Sequence, residues 1–343
     1  MTRVSLATLV AISAALISGA ALAQDWKPDR PINIIVPWGA GGSTDQVTRV
    51  TAPILADALG VEIVVVNQPG ASGATGTQEV LNAPKDGYTW TANAIANNAT
   101  YSVTGLLENT TIDDWHIYLS VANVPVVSVP ANSEFQDFGQ LLAALKERGK
   151  DITIATAGIT SSGGTAIAAL ADAGGFDYNM ITYDGGGPAA IAAAAAEAMV
   201  TTQLAVEQTE LIRGGKLRAL AVLSDQPLVL EGVDPIPPIT QWLPDLPMAP
   251  DYFGIFIPRG VPPEVIATVD KIWAEQVMNA DAVKKYAETF GAVFAPSYGD
   301  EARALAMPVA ILEACSSLAR GEAVNDPSTI GIDCATMTEV AKQ

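Results

Sequence analysis

Basic residues are scarce in this chain: 18 lysines and arginines stand against 37 aspartates and glutamates, a formal charge of −19. Duplex binding depends on cations that displace counterions from phosphates, so the shortage argues against nucleic acid as a partner. Histidine occurs once, at His116, and cysteine twice, at Cys315 and Cys334. A metal site at the cysteines would need further ligands, and the histidine is far away in sequence; neither metal nor cofactor is expected. No G-x-S-x-G elbow is present, and G-x-G-x-x-G is missing from the first strand turn. "GASGATGT" has the glycines of a phosphate loop without its lysine or its spacing. A secreted hydrolase would have to pair Ser72 or Ser161 with His116, whose neighbourhood "DDWHIY" offers no adjacent glycine-turn serine, so the chain is not expected to be an enzyme.

Long apolar runs are also missing beyond the N-terminus. There, Arg3 is followed by the apolar stretch 4–17 and then by "SGAALA", the charge, apolar core and A-x-A pattern of a secretory signal cleaved after Ala23. About 14 apolar residues fall short of the ~20 that a spanning helix needs. With no later stretch apolar enough to cross a bilayer, the mature chain reads as a soluble periplasmic protein. Cleavage removes only Arg3 among the charged residues. The acidity says little about the sign of a ligand, because charges beyond ~8 Å are largely screened in physiological salt. In an oxidising compartment Cys315 and Cys334 are expected to form one disulfide, worth roughly 3 kcal/mol for a loop of about 20 residues.

What is abundant is strand, glycine turn, helix, repeated. "INIIVPW" is a strand; Ser43 and Gln46 have the spacing of a capping box, and Val47, Val50, Ile54 and Leu55 share a helix face that Gly60 ends. "EIVVVN" reads as a strand buried on both faces. "NQPGASGATGTQEVL" and "YTWTANA" continue the pattern, and "VPVVSVP" opens a second half built in the same way. About 320 mature residues exceed what one core usually serves, so two doubly wound α/β lobes are expected. Four glycine or hydroxyl turns stand between strands and helices, at 39–45, 69–76, 158–164 and 183–187. Ligands of open α/β sheets bind beyond the carboxyl ends of the strands, where such turns offer uncapped amides and positive helix ends to an anion. A carboxylate fits a nest of this kind without any arginine. Trp38 and Tyr183 flank their loops and could pack on a ligand's carbon chain or belong to the core. Asp45 is expected to hold first-turn amides of its own helix, and Asp184 either faces solvent or meets an amino group.

"RPINIIVPWGAGGSTDQVTRV", "VVVNQPGASGATGTQEVLNAPKDGYTW", "ITYDGGGPA" and "GGKLRALAVLSDQP" resemble, in order and spacing, the extracytoplasmic solute receptors of tripartite tricarboxylate transporters, the Bug or TctC type. The likeness runs over roughly residues 28–300. It implies a type II periplasmic binding fold, with residues 24–123 and 252–343 as lobe 1, 124–251 as lobe 2, and crossings near Asn123–Val126 and Asp251–Phe253. It implies a monomer that closes over a small organic acid and delivers it to membrane permease subunits. The carried-over ligand positions are Gly41, Gly42, Ser43 and Thr44, then Gly70, Ala71, Ser72 and Gly73, with Trp38 beside them. The second lobe would add Thr160, Ser161, Ser162, Tyr183, Gly185, Gly186 and Gln203. This chain departs from the resemblance where "GGTAIAALAD" lacks a histidine, where "AEAMVTTQL" places Gln203 at an acid's usual position, and where the C-terminal segment holds the cysteine pair. A sensing module that presents its closed form to a signalling partner is the other role open to such a fold.

Overall fold

The computed structural model describes residues 26–108 and 110–340; the segment read as a signal lies outside them. The strands are β1 (Ile32–Val36), β2 (Ile63–Asn67), β3 (Thr89–Ala94), β4 (Trp115–Asn123), β5 (Val126–Pro130), β6 (Thr153–Thr156), β7 (Asn179–Thr182), β8 (Val200–Thr201), β9 (Leu217–Val222), β10 (Asp251–Pro258) and β11 (Val293–Tyr298), with a short C-terminal pair, β12 (Ile332–Asp333) and β13 (Thr338–Glu339). The helices are α1 (Ser43–Leu59), α2 (Ala74–Asn82), α3 (Ile95–Thr100), α4 (Phe138–Arg148), α5 (Ser162–Gly174), α6 (Gly186–Ala194), α7 (Ala205–Arg213), α8 (Pro263–Glu275), α9 (Asp281–Phe290) and α10 (Gly299–Ala319).

Two sheets organise them. One runs β11-β4-β10-β3-β1-β2 and the other β7-β6-β8-β5-β9. Strands joined through helices, β1 with β2 and β3, or β6 with β7 and β8, pair in parallel. Strands at the crossings pair antiparallel: β10 with β3 and β4, and β5 with β8 and β9. Only Val124 and Pro125 separate β4 from β5, and the return path enters the middle of the first sheet through β10. Each sheet with its helices is a lobe, and the two crossings form a hinge.

The sheets carry separate cores. Phe138, Leu141, Ile154 and Leu170 fill one lobe. In the other, Ile32, Trp90 and Trp273 pack on one side of the sheet, and Ile117, Phe256 and Val309 on the other. Three readings of the sequence change here. The run in β2 is only half-buried, because β2 is the edge strand of its sheet; edge position removes the neighbour that burial on both faces requires. Ser43 is the first helical residue of α1 and Gly42 its N-cap, while Gln46 Nε2 reaches back to the Gly41 carbonyl at 2.8 Å. And α10 is long and apolar enough to cross a membrane, but it spends its apolar face on the core, with Ala302, Ala306, Val309, Ala310 and Ala314 buried.

Candidate functional site

The first glycine loop is braced by Asp45. Its carboxylate accepts from Gly41 N at 2.9 Å, from Asn67 Nδ2 at 3.0 Å and from Arg49 Nε at 2.9 Å. Burial pushes this carboxyl up, but the bonds from Arg49, Gly41 and Asn67 outweigh it and hold Asp45 below the usual carboxylate range. Its charge is thus spent on the loop before the helix and on Asn67 and Arg49, instead of on the first-turn amides expected from the sequence, because the turn at Gly41 brings that earlier amide back to the carboxylate. Arg49, the nearest cation, is committed as well, because its Nη2 also donates to Asn67 Oδ1 at 2.9 Å.

Two residues after Gly41, an amide meets the opposite lobe. Ser43 N, at the start of the 17-residue helix α1, donates to Glu207 Oε1 at 2.7 Å. Glu207 lies in the first turn of α7, and its other oxygen, Oε2, accepts from Leu204 N at 3.1 Å. With the Gln203 amide oriented by its neighbours, Nε2 donates to Glu207 Oε2 at 3.0 Å while Oε1 accepts from Ala157 N at 3.0 Å. Loss of hydration raises Glu207, and the bonds from Ser43 and Leu204 oppose that rise. A part-buried carboxylate is therefore held by donors from both lobes, with no salt bridge to a cation among the described residues, which is how a helix N-terminus holds an anion. Gly186 permits the approach: a Cβ there would stand 2.1 Å from both carboxylate oxygens.

Further contacts close the boundary. Gly39 N donates to the Asp184 carbonyl at 2.5 Å, and Thr160 Oγ1 donates to the Ser72 carbonyl at 2.9 Å. Asn97 Nδ2 donates to the Thr160 carbonyl. Ala71 and Ser72 hold positive φ, 47° and 51°, a conformation that costs a non-glycine residue on the order of 1 kcal/mol and persists where its surroundings enforce it. Gly158 faces them at φ 122°, where a Cβ would lie 2.3 Å from Ser72 Oγ. Ser161 caps α5, accepting from Gly164 N at 3.0 Å, and Ser162 Oγ donates to Asp251 Oδ2 at 2.5 Å. Asp251, the first residue of β10, also accepts from Ala96 N at 3.2 Å and so ties both lobes together at the hinge.

What remains open in this cleft is a cavity of about 20 Å³, room for about one water. Of the residues expected from the sequence, Trp38, Gly42, Ser43, Thr44, Ser161, Ser162, Gly186 and Gln203 line it. Gly41, Gly70, Ala71, Ser72, Gly73, Thr160, Tyr183 and Gly185 do not; they brace the loops or the contact between lobes. Trp38 is buried, with its Nε1 on Asn93 Oδ1 at 3.1 Å. Tyr183 packs against the small-residue core of α6, and Asp184 is exposed. His116 sits at the opposite end of β4 from the hinge, some seven residues or ~23 Å along the strand; neither Ser72 nor Ser161 can use it. Sequence reasoning missed Glu207, Asn97 and Asp251. Half of Glu207 was readable, because a glutamate three residues into a helix commonly returns to the N-cap amide.

Two α/β lobes hinged on crossing strands, with helix N-termini meeting across the gap, define a periplasmic binding protein fold. The chain belongs to the family of tripartite tricarboxylate transporter receptors, whose sequence profile matches residues 47–307. That is a family of solute-binding receptors and not of enzymes. BugT of Bordetella pertussis is 29% identical over 294 residues, covering 84% of this chain and 88% of BugT. Among solved structures, the periplasmic binding protein BugD superposes with a TM-score of 0.76 at 23% identity, over 86% of this chain and 99% of BugD. An R. palustris protein solved with adipate gives 0.76 at 21%, over 87% and 99%.

Proposed function

We propose that this chain is a periplasmic receptor that captures a small organic carboxylate between its lobes, residues 24–123 with 252–343 and 124–251, and hands it to the permease subunits of a tripartite tricarboxylate transporter. The observation that carries the reading is the Glu207 carboxylate seated between Ser43 N and Leu204 N: the cleft holds a carboxylate group by amides of both lobes. Family membership and the adipate seen in a structural relative support the same chemistry. Hinge closure is the mechanism, and a solute shifts the lobes only by contacting the closed form better than the open one. Gly41 to Thr44, Gly70 to Gly73, Thr160 to Ser162 and the Tyr183 to Gly186 turn, with Trp38 and Gln203, are the proposed contacts.

The test is a thermal-shift panel on mature protein, stripped of co-purified ligand by partial unfolding and refolding. A true ligand at about 100 times its dissociation constant adds ~2.7 kcal/mol. A midpoint rise confined to one class of acids supports the reading; a response to sugars or amines alone sinks it. Loss of uptake of that acid in a deletion strain tests delivery to the permease.

A further inference from the structure

The cleft contains no lysine or arginine among its lining residues, yet it already contains one carboxylate. Glu207 takes the Ser43 amide of α1 and the Gln203 amide of the opposite wall, which are the groups a second carboxylate of an incoming solute would need. The remaining cavity lies against that carboxylate and is too small for any organic acid. A solute therefore enters by parting the lobes, and it meets both Glu207 and the N-terminus of α5, at Ser161 and Ser162, which line the same space.

Two like charges a few ångströms apart in a water-poor cleft repel unless a cation or a proton intervenes. Among the described residues no cation lines the space. Ser43, Leu204, Gln203, Gly42 and Gly186 face Glu207 as donors or plain backbone, the Tyr286 phenol lies near enough to feel its charge, and none of them is a cation. A fully ionised dicarboxylate would have to expel Glu207 from these bonds, whereas an ammonium or hydroxyl group could join them.

We propose, resting on the reading of this cleft as a carboxylate site, that Glu207 determines specificity: it stands in for a second carboxylate, so that the receptor selects an organic acid with one carboxylate and an ammonium or hydroxyl far end. Fully ionised dicarboxylates of matched length are excluded. Glu207 is a positioning and selecting residue, and its removal changes the ranking of solutes.

The experiment measures binding of matched pairs to the mature protein by calorimetry: glutarate against 4-aminobutyrate, adipate against 5-aminopentanoate, and terephthalate against 4-(aminomethyl)benzoate. Wild type is compared with Glu207→Gln, which keeps the shape, and with Glu207→Ser in case the amide disturbs folding. Wild type should take the amino member of the pair that fits at least tenfold more tightly than its diacid, and either variant should improve the diacid at least tenfold. A wild type that binds both members equally, or a ratio that stays within twofold in folded variants, overturns the proposal. If no carboxylate binds any form while a neutral solute does, the carboxylate reading itself has failed, and the assignment of Glu207 fails with it.

Discussion

From Ser162, α5 borders two spaces between the lobes, and they differ in kind. Toward α1 and α7 the boundary is backbone and short polar side chains, joined by bonds such as Ser43 N to Glu207 at 2.7 Å, and about 20 Å³ stays open. Toward α10 and the 243–248 turn the walls are Leu243, Leu246 and Leu312 with Glu313 and Arg320 among them, and about 410 Å³ stays open. Hydrogen bonds fix a separation to tenths of an ångström, while side chains meeting across apolar surface do not. Rotation about the hinge thus breaks short backbone bonds on one side, and on the other it loosens a longer ion pair, Arg320 to Asp172 at 3.7 Å, and rearranges apolar side chains. Asp251 lines neither space and is pushed up to about 6 by burial; Glu313, on the α10 wall, is pushed up to about 7 by loss of hydration and by the charge of Asp251.

The comparison can be broken at several points. The largest effect is expected at the wall formed by α10, which the disulfide between Cys315 and Cys334 fastens to the C-terminal strands. Replacing both cysteines by serine should cost about 3 kcal/mol in urea unfolding, with solute affinity changed less than twofold. A parallel loss of affinity would mean that this wall belongs to the binding site.

Asp251→Asn tests the buried carboxyl at the hinge. A carboxyl raised from 3.8 to about 6 in the folded state contributes stability that is whole below about pH 4 and is lost as pH rises through about 6. The variant cannot lose it, so its stability relative to wild type should improve by on the order of 2 kcal/mol between pH 4 and pH 7. Parallel stability curves would show that the burial of Asp251 carries no such cost.

Gly186→Ala sharpens the cleft side. Its Cβ would meet both Glu207 oxygens, so the lobes should part in the ligand-free protein, seen as a larger radius of gyration in solution scattering, and solute affinity should fall at least tenfold, about 1.4 kcal/mol. An unchanged radius would mean that the Glu207 contact does not hold the lobes. The smallest effect is expected from His116→Ala. His116 is half-buried and lowered by burial, lies away from both spaces, and should leave binding unchanged within twofold; any larger change would break the assignment of the site to the hinge end of β4.

Local pattern decided much of this protein. The alternation of apolar strands, glycine turns and amphipathic helices was enough for a two-lobed α/β fold, because those patterns lie within a helix turn or two, while the partners of Asp45, on Gly41, Asn67 and Arg49, came from the fold. The edge position of β2 was not legible: four apolar residues in a row look alike in a central and an edge strand until the partner strands are known. Nor was α10 separable by composition from a membrane helix, since only packing shows which face the core takes. Tertiary structure alone decided the centre of the site. Ser43 and Glu207 are 164 positions apart, and nothing local to either links an uncapped amide to the carboxylate that fills it. The sequence by itself determined that helix ends would offer amides to an anion; closure of one lobe on the other decided that the first carboxylate to reach them is the protein's own.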